Sequence, residues 1–390
     1  MPHKGNDSRA ESKLQIIEAY LTDKYDMRFN TISGMPEYRE LGSDKVFKGI
    51  NENSMYRELE HNGYKCSPNT LKYLLKSDFL KEYNPIADYF KDLPKYDPEK
   101  EPDYIFQIGD YITVGNNDAQ RFHNQFEKFL VRSIACSLYG FVNKQALVFI
   151  SSKQNCGKST FCRWLCPPSL SLYMQENISV DKDSLIALTE NFLINMDELA
   201  TLSKYDLDGL KSFMSKENIK TRKPYDAKAL TYQRIANFVG STNNIEFLTD
   251  VTGSVRWLCF EIERINFKYS QDIPIDRLWA QAMHLLSTGF KYQLTPEEVA
   301  QNEFSNSRHR IISVEEDLLQ RNYTLGSKDN HSAFYSSTEI LEALRGSFPL
   351  MSKDLHVNRI GKALHALGFI QESKRDEKGS RKGYYVNFNI

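Results

Sequence analysis

The stretch Ala146-Leu-Val-Phe-Ile-Ser-Ser-Lys-Gln-Asn-Cys-Gly-Lys-Ser-Thr160 decides the fold of this chain. Its apolar run, 146–150, predicts a buried β-strand, and the polar loop that follows leads into a short helical pattern from Phe161 to Leu165. A strand, a loop that ends in Gly-Lys-Ser and a helix form the phosphate-binding P-loop arrangement. We therefore expect a nucleotide to contact Ser152, Lys153, Gln154, Asn155, Cys156, Gly157, Lys158, Ser159 and Thr160.

The P-loop arrangement implies a defined local chemistry, with ATP and Mg²⁺ as the expected ligands. Backbone N–H groups of the loop and of the helix N-terminus point at an anion. Lys158 can reach the β- and γ-phosphates, and the Ser159 hydroxyl can ligate Mg²⁺. Ser152 stands where this loop usually has its first glycine, so we expect a backbone conformation without positive φ there.

Composition places the chain among ordinary globular proteins. Its 390 residues allow two or three domains, and a net charge of -1 excludes a global basic field, so any nucleic-acid binding must come from local patches. None of the six cysteines has CxxC spacing, and Cys162 and Cys166, one helical turn apart, are either a metal pair or small packing residues in a reduced protein. Without an apolar leader or a run of about 18 apolar residues, we expect a soluble, cytoplasmic protein that does not bind membranes.

The order of patterns along the chain predicts four regions. Residues 1–93 predict a mainly helical domain with two short strands, Met27 to Ile32 and Glu37 to Leu41, and a helix-turn-helix that either contacts DNA or only packs. The Pro-rich, charged start of 94–118 predicts a linker or surface loop. Residues 119–312 open with an amphipathic helix and then alternate strand and helix, the α/β pattern of a P-loop ATPase core. Residues 313–390 predict two helices and a basic terminal hairpin, the outline of a winged helix.

A pair of carboxylates follows the P-loop by about forty residues. The run Asn191-Phe-Leu-Ile-Asn-Met is mostly apolar and ends in Asp197 and Glu198, so it predicts a strand with acids at its carboxyl end. Asp197 can hold Mg²⁺ through water, and Glu198 can polarise the attacking water. The alternative is a buried strand that happens to end in surface acids.

Two further polar residues follow short apolar runs. Asn243 ends the run that starts at Ile235, where it can orient the lytic water or touch the γ-phosphate, unless it is a turn asparagine. Arg256 lies on a tight turn that contains Gly253 and precedes an apolar strand, Trp257 to Phe260. It can serve as an arginine finger for a neighbouring subunit, or it can form a structural salt bridge.

A basic segment lies between these elements, with Phe213 and Tyr225 interleaved. Lysine and arginine can bind the phosphates of single-stranded DNA, and aromatic rings can stack on its bases. The alternative is that the charged run forms only a solvated face. The candidate DNA-binding residues are Lys211, Lys216, Lys220, Arg222, Lys223 and Lys228.

With these elements placed, the chain resembles the virulence-associated E (VapE-like) family of phage and mobile-element ATPases, which are related to superfamily-three helicases. The resemblance spans roughly residues 80–300 and rests on the order and compact spacing of the motifs. The motifs are Ser152-Lys-Gln-Asn-Cys-Gly-Lys-Ser159, Met196-Asp-Glu-Leu199, Leu210-Lys-Ser-Phe-Met-Ser215, Gly240-Ser-Thr-Asn243 and Phe247-Leu-Thr-Asp-Val-Thr-Gly-Ser-Val-Arg-Trp257. Ser152, Asn195 and Val255 depart from the family pattern.

The resemblance implies an AAA+-type core, a hexameric ring around DNA and ATP-driven unwinding at a replication origin. It assigns catalytic roles to Lys158, Glu198, Asn243 and Arg256, and metal binding to Ser159 and Asp197. The leading hypothesis is a DNA helicase or translocase. The alternatives are a DNA-binding replication initiator or regulator that ATP switches without unwinding activity, and a small-molecule kinase. A separate primase partner is a hypothesis, because no second set of catalytic carboxylates stands outside the core.

Overall fold

A computed structural model of the chain describes residues 12–223, 228–249, 255–330, 332–351, 353–376 and 379–389. The described residues fall into two compact units, one within Met1–Asn243 and Arg256–Leu294, the other within Asn244–Val255 and Thr295–Ile390. Helices and sheets occur in both units, which confirms the predicted α/β class. The division into four regions stays a prediction.

The N-terminal part of the first unit contains a sheet as well as helices. Its elements are α1 (Lys13–Lys24), β1 (Tyr25–Asn30), β2 (Met35–Glu40), β3 (Lys48–Gly49), α2 (Glu52–His61), α3 (Pro68–Leu74), β4 (Lys81–Tyr83) and α4 (Pro85–Asp92). The strands pair in the order β3-β2-β1-β4, with β4 parallel to β1. The region expected to be mainly helical with two short strands therefore carries four strands, of which β1 and β2 lie close to the expected positions. Two of them have only two or three residues, too few to show a period in the sequence.

The rest of the first unit is built on a six-stranded sheet. Its elements are α5 (Tyr104–Tyr111), β5 (Ile112–Val114), α6 (Ala119–Tyr139), β6 (Ala146–Ile150), α7 (Lys158–Trp164), β7 (Met174–Glu176), α8 (Asp183–Glu190), β8 (Leu193–Met196), α9 (Lys204–Ser215), β9 (Asn218–Thr221), β10 (Leu230–Gln233), β11 (Asn237–Thr242), β12 (Trp257–Ile265), α10 (Tyr269–Asp272) and α11 (Ile275–Ser287). The sheet has the order β5-β12-β6-β11-β8-β7, and β9 pairs with β10 as a separate antiparallel hairpin. Strand β6 runs parallel to both of its neighbours, so three carboxyl ends meet at one edge.

Burial explains why the P-loop strand stands at the centre. All five residues of β6 are buried, as expected for a parallel strand covered on both faces. Helix α6 packs its phenylalanines into the same core and ends at Gly140, whose φ of 79° suits glycine. Cys162 and Cys166 lie in this core too, which favours packing residues over a metal pair.

The segment 94–118 contains a helix and a strand. Ile105 and Ile108 of α5 are buried in the main core, and β5 pairs with β12. The Pro-rich, charged stretch at 94–103 resembles a linker, but the apolar residues that follow it belong to the core.

The second unit has a helical and a β part. Its elements are α12 (Pro296–Ser307), α13 (Val314–Asn322), β13 (Tyr323–Leu325), β14 (Ala333–Tyr335), α14 (Ser337–Ser347), α15 (Val357–Ala366), β15 (Glu372–Asp376) and β16 (Gly379–Phe388). Strands β15 and β16 form the expected terminal hairpin, and β13 and β14 also pair with β16. Capping boxes at Thr295 and Ser336 start α12 and α14.

Helix α6, with 21 residues, is the longest helix of the described chain. Among the described residues no helix has both the length and the apolar character needed to cross a membrane.

Candidate nucleotide-binding site

The loop between β6 and α7 takes its left-handed turns at Asn155 and Gly157. Asn155 has a φ of 55° and Gly157 a φ of 94°. Ser152 is not among the described non-glycine residues with positive φ, which confirms the expected backbone conformation at that position. Asparagine tolerates this region better than most residues, so the loop turns without its usual first glycine. The φ of Gly157 favours glycine, and an added Cβ there would come within 2.8 Å of the Phe267 ring, which would have to shift.

Lys158 is the first residue of α7, and its side chain folds back over the loop. The Nζ atom donates to Asn243 Oδ1 at 2.8 Å and to the carbonyls of Lys153 and Ser151 at 3.2 and 3.3 Å. The residue is buried. A buried ammonium group needs such acceptors, and a phosphate that entered the loop would offer it stronger ones.

Asp197 lies at the end of β8, directly beside Ser159. The Ser159 hydroxyl donates to Asp197 Oδ1 at 2.7 Å, and the Ser241 hydroxyl donates to the same oxygen. Burial opposes the ionised form, but these two hydrogen bonds and the nearby Arg163 guanidinium outweigh it and lower the pKa of Asp197. The carboxylate is therefore held ionised beside a hydroxyl group.

Asn243 connects the lysine to the second acid. Its Nδ2 donates to Glu198 Oε1 at 2.8 Å, while its Oδ1 accepts from Lys158. Glu198 itself has a φ of 57°, a left-handed conformation that costs free energy in a non-glycine residue. The single amide thus holds a cation and an anion at the carboxyl ends of β6, β8 and β11.

These groups surround one cavity of about 440 Å³. The lining residues are Gln154, Asn155, Cys156, Gly157, Lys158, Ser159, Thr160, Arg163, Asp197, Glu198, Ser241 and Asn243. The structure therefore brings most of the predicted site residues together from three separate stretches of the chain.

The donor set at Ser159 and Asp197 fits Mg²⁺. A hydroxyl and a carboxylate are hard oxygen ligands, and Mg²⁺ usually takes one or two carboxylates together with substrate phosphates and water. Within the described residues no group of three or more His, Cys, Asp or Glu side chains is placed to hold a metal ion. A site of this kind would need the nucleotide's own oxygens to complete it.

Two residues that line the cavity, Ser241 and Arg163, are not among the site residues predicted from the sequence. Ser241 lies two residues before Asn243 on β11, and the period of two along a strand could have placed both on one face. Arg163 lies on α7 and contacts Asp197 Oδ2 at 3.5 Å and Glu176 Oε1 at 2.7 Å. Its partner Glu176 is on β7, and nothing in the sequence connects that strand with the P-loop helix.

Arg256 lies away from the cavity. It precedes β12, where Trp257 pairs with Ala146 at the start of β6, whereas the P-loop follows the end of β6. A five-residue strand separates the two edges by about 16 Å. The Arg256 Nε donates to Ser215 Oγ at 3.1 Å. Gly253 of the predicted turn lies outside the described residues.

The basic segment is divided between solvent and core. Lys220, Arg222 and Lys228 are exposed on or beside the β9–β10 hairpin, and Lys216 is half-buried. Lys211 pairs with Asp208 at 2.9 Å, while Tyr225 lies outside the described residues.

Lys223 differs from the other members of this segment. It is 4% exposed, its Nζ lies 3.2 Å from Glu190 Oε1, and it donates to the carbonyl of Ile32. The ammonium group also lies 4.6 Å from the centre of the Tyr232 ring. Its cation is engaged inside the protein and is not available to DNA.

Comparisons with known proteins give a family and a fold. The model of the Virulence-associated protein E-like domain matches residues 91–311, more than half of the chain. Two apo structures of the NrS-1 C-terminal region are similar at TM-scores of 0.52 and 0.50, with 12% and 11% identity. Each alignment covers 97% of this chain and 100% of that one, so the likeness extends over both units but at this identity concerns the fold alone. A comparison with curated proteins gives no significant match.

Proposed function

Since the chain belongs to the Virulence-associated protein E-like domain family, we propose that it is an ATP-hydrolysing DNA helicase or translocase that acts in the replication of a phage or mobile element. The observation that carries the proposal is the convergence of Lys158, Ser159, Asp197, Glu198 and Asn243 on one cavity at the P-loop. A nucleotide-binding loop with a paired acid and a polar amide is equipped for hydrolysis as well as for binding.

Each side chain of the cavity has a role in this proposal. The loop amides and Lys158 bind the β- and γ-phosphates, and Lys158 exchanges Asn243 and the loop carbonyls for phosphate oxygens. Ser159 and Asp197 hold Mg²⁺, which, when bound, neutralises charge on the phosphate oxygens. Glu198 accepts a proton from the attacking water, and Asn243 orients that water or the γ-phosphate.

The strand order supports an AAA+-type core. Strand β11, which ends beside Asn243, lies between the P-loop strand β6 and the acid-bearing strand β8. This is the placement expected for a polar amide that senses the γ-phosphate. The similarity to the NrS-1 region supports the fold of this core and carries no activity.

The exposed basic hairpin supports a DNA contact. Asn218 and Lys220 flank the buried Ile219 along β9, so their side chains share the outer face, and the exposed Arg222 directly follows the strand. Cations on a projecting hairpin can follow the phosphates of a single strand. The second unit, in which β14 and the β15–β16 hairpin accompany α14 and α15, is consistent with a winged helix and is a second candidate surface for DNA or protein.

ATP hydrolysis in the presence and absence of single-stranded DNA tests the proposal, together with strand displacement on a forked duplex. We expect DNA to stimulate hydrolysis, and Lys158→Ala and Glu198→Gln to abolish both activities. Lys144→Ala, which changes an exposed lysine just before β6, is the matched control and should keep both. If DNA does not stimulate hydrolysis and no strand is displaced, the proposed helicase or translocase activity is refuted.

The same variants separate the alternatives. An initiator that ATP only switches should keep its biological activity in Glu198→Gln, which binds ATP without hydrolysing it. A small-molecule kinase should transfer phosphate without needing Arg256 or the basic hairpin. A separate primase should co-purify with the protein, and a complex without primase activity would count against such a partner.

Oligomerisation is part of the proposal and has its own test. A ring, with six subunits as the expected number, would bring Arg256 of one subunit to the nucleotide of the next. Mixing Lys158→Ala protein with Arg256→Ala protein should partly restore hydrolysis, because some interfaces then combine an intact loop with an intact arginine. Mixtures without any recovery would exclude an arginine that acts between subunits.

A further inference from the structure

The cavity at the P-loop accounts for the phosphates of a nucleotide but not for its base. Every lining residue is polar or glycine apart from Cys156, and no aromatic side chain is among them. A base needs an apolar or aromatic surface to exclude water from its faces. Such a surface has to lie along the edge of the sheet where the loop lies.

The positions of the catalytic side chains give the nucleotide a direction. Glu198 and Asn243 mark the γ-phosphate end, and both stand at the β11 and β8 side of the P-loop strand. Strand β12 flanks β6 on the other side. A nucleotide whose γ-phosphate faces Asn243 therefore directs its ribose and base towards the carboxyl end of β12.

Phe267 stands at that end. Strand β12 is parallel to β6, with Glu261 opposite Ile150, and it continues to Ile265 above the start of the loop. The Cζ and Cε1 atoms of Phe267 lie 2.8 and 2.9 Å from the point where a Cβ on Gly157 would be. The ring edge thus rests against the last loop residue before Lys158. The side chain is still 49% exposed, so part of the ring is open to a ligand.

The backbone that carries this ring is fixed. Asn266 N–H donates to the carbonyl of Tyr111 at 2.8 Å, and the Ser270 hydroxyl donates to the carbonyl of Phe267 at 3.0 Å. Tyr269, two residues on, is buried and packs edge-on against Phe161 and Trp164 of α7. The platform is therefore positioned by the helix that binds the phosphates.

We propose that Phe267 is the stacking platform for the base of the bound nucleoside triphosphate. The inference rests on the proposed function and adds the base subsite. An aromatic face is tolerant of base identity because every base has a π-face, and the larger purine rings cover it best. The subsite therefore selects a nucleoside triphosphate over a bare triphosphate.

Binding measurements with ATP and with inorganic tripolyphosphate test the platform. In Phe267→Ala and Phe267→Leu we expect the Kd for ATP to rise about tenfold, as for loss of a stacked base. The Kd for tripolyphosphate should stay unchanged, and Phe267→Tyr, which keeps the ring, should bind ATP like the wild type. The leucine variant keeps apolar packing against Gly157, so it remains informative if the alanine variant unfolds. Phe304→Leu, which removes a 69% exposed phenylalanine from α12, is the control.

Three results would overturn the assignment while leaving the proposed function intact. In the first, the leucine variant binds ATP as tightly as the wild type. In the second, the Kd values for ATP and tripolyphosphate rise together, which would mean that the ring only supports the loop. In the third, the wild type binds ATP no more tightly than tripolyphosphate. A wild-type protein that binds neither compound would instead refute the nucleotide site itself, and the base platform with it.

Discussion

The Asn243 amide offers the sharpest test of the candidate site, because it touches two charged groups with different roles. Its Oδ1 accepts from Lys158 and its Nδ2 donates to Glu198, each at 2.8 Å. In Asn243→Ala, Lys158 keeps the carbonyls of Ser151 and Lys153, so the loop should retain its affinity for nucleotide. Glu198 loses the amide that orients its carboxylate.

The expected fall in kcat follows from the single hydrogen bond that Glu198 loses. A hydrogen bond to a charged group contributes about 1.5–3 kcal/mol, and Glu198 is exposed, so we take the lower half of that range. If the interaction is needed only in the transition state, kcat should fall by roughly 10- to 40-fold. The Kd for ATP should change by less than about threefold, since the substitution leaves in place Lys158 and the loop amides that bind the ground-state phosphates.

Steady-state hydrolysis and equilibrium nucleotide binding, measured on the same preparations, separate these two effects. Asn124→Ala is a matched control, because Asn124 is an exposed asparagine on α6 within the same unit. A rise in Kd equal to the loss in kcat/KM would show that Asn243 binds the ground state. An unchanged kcat would refute the assigned role of Asn243 altogether.

Two further predictions concern buried charge and pH. Lys223→Met should lower the free energy of unfolding by about 2 kcal/mol, because it leaves the partly buried Glu190 carboxylate without its cation. Lys220→Ala should leave the free energy of unfolding unchanged. It should instead reduce the slope of log Kd for DNA against log salt concentration by about one. Urea unfolding and DNA titrations over a range of salt concentrations distinguish the two lysines, and equal losses of DNA affinity would contradict the buried placement. Because the folded chain lowers the pKa of Asp197, the ionised carboxylate stabilises the protein above its unfolded pKa, near 3.8, and this stabilisation is lost as the pH falls through the lower folded value. Ser241→Ala should therefore cost about 1 kcal/mol at pH 7 and less as the pH falls through the folded pKa of Asp197, and a cost independent of pH would contradict the hydrogen bond to an ionised Asp197.

Local patterns predicted the parts of the fold that depend on neighbours in the sequence. The apolar run 146–150 forms β6, and the amphipathic pattern from Ala119 forms a helix that ends at Tyr139. The helix after the loop begins at Lys158, three residues before its apolar pattern, because the turn at Gly157 already directs the chain into helical geometry. The polar ends of β8 and β11 were also predictable, since parallel strands bring their carboxyl ends to one edge.

Contacts between distant segments were beyond the sequence patterns. Lys223 reads as one of several cations in a charged run, yet its partners lie near residues 32 and 190, which only the folded chain brings close. Strand β4 pairs with β1 more than fifty residues away, and with three residues it is too short to show a period of two. Asn195, which interrupts the apolar strand, donates to Glu176 at 2.9 Å, so its polar character has a structural reason in a neighbouring strand.

The position of Arg256 connects the fold to the proposed assembly. An arginine at the amino end of β12 cannot reach the phosphates at the carboxyl end of β6 in its own chain, because about 16 Å of strand lies between them. If Arg256 contributes to hydrolysis, it does so for another subunit, so the loop of one chain must face the opposite edge of the next. Such a contact joins two different surfaces, and repeated contacts of that kind either close into a ring or grow into a filament. Closure is therefore the structural condition under which every nucleotide site of the assembly can be complete.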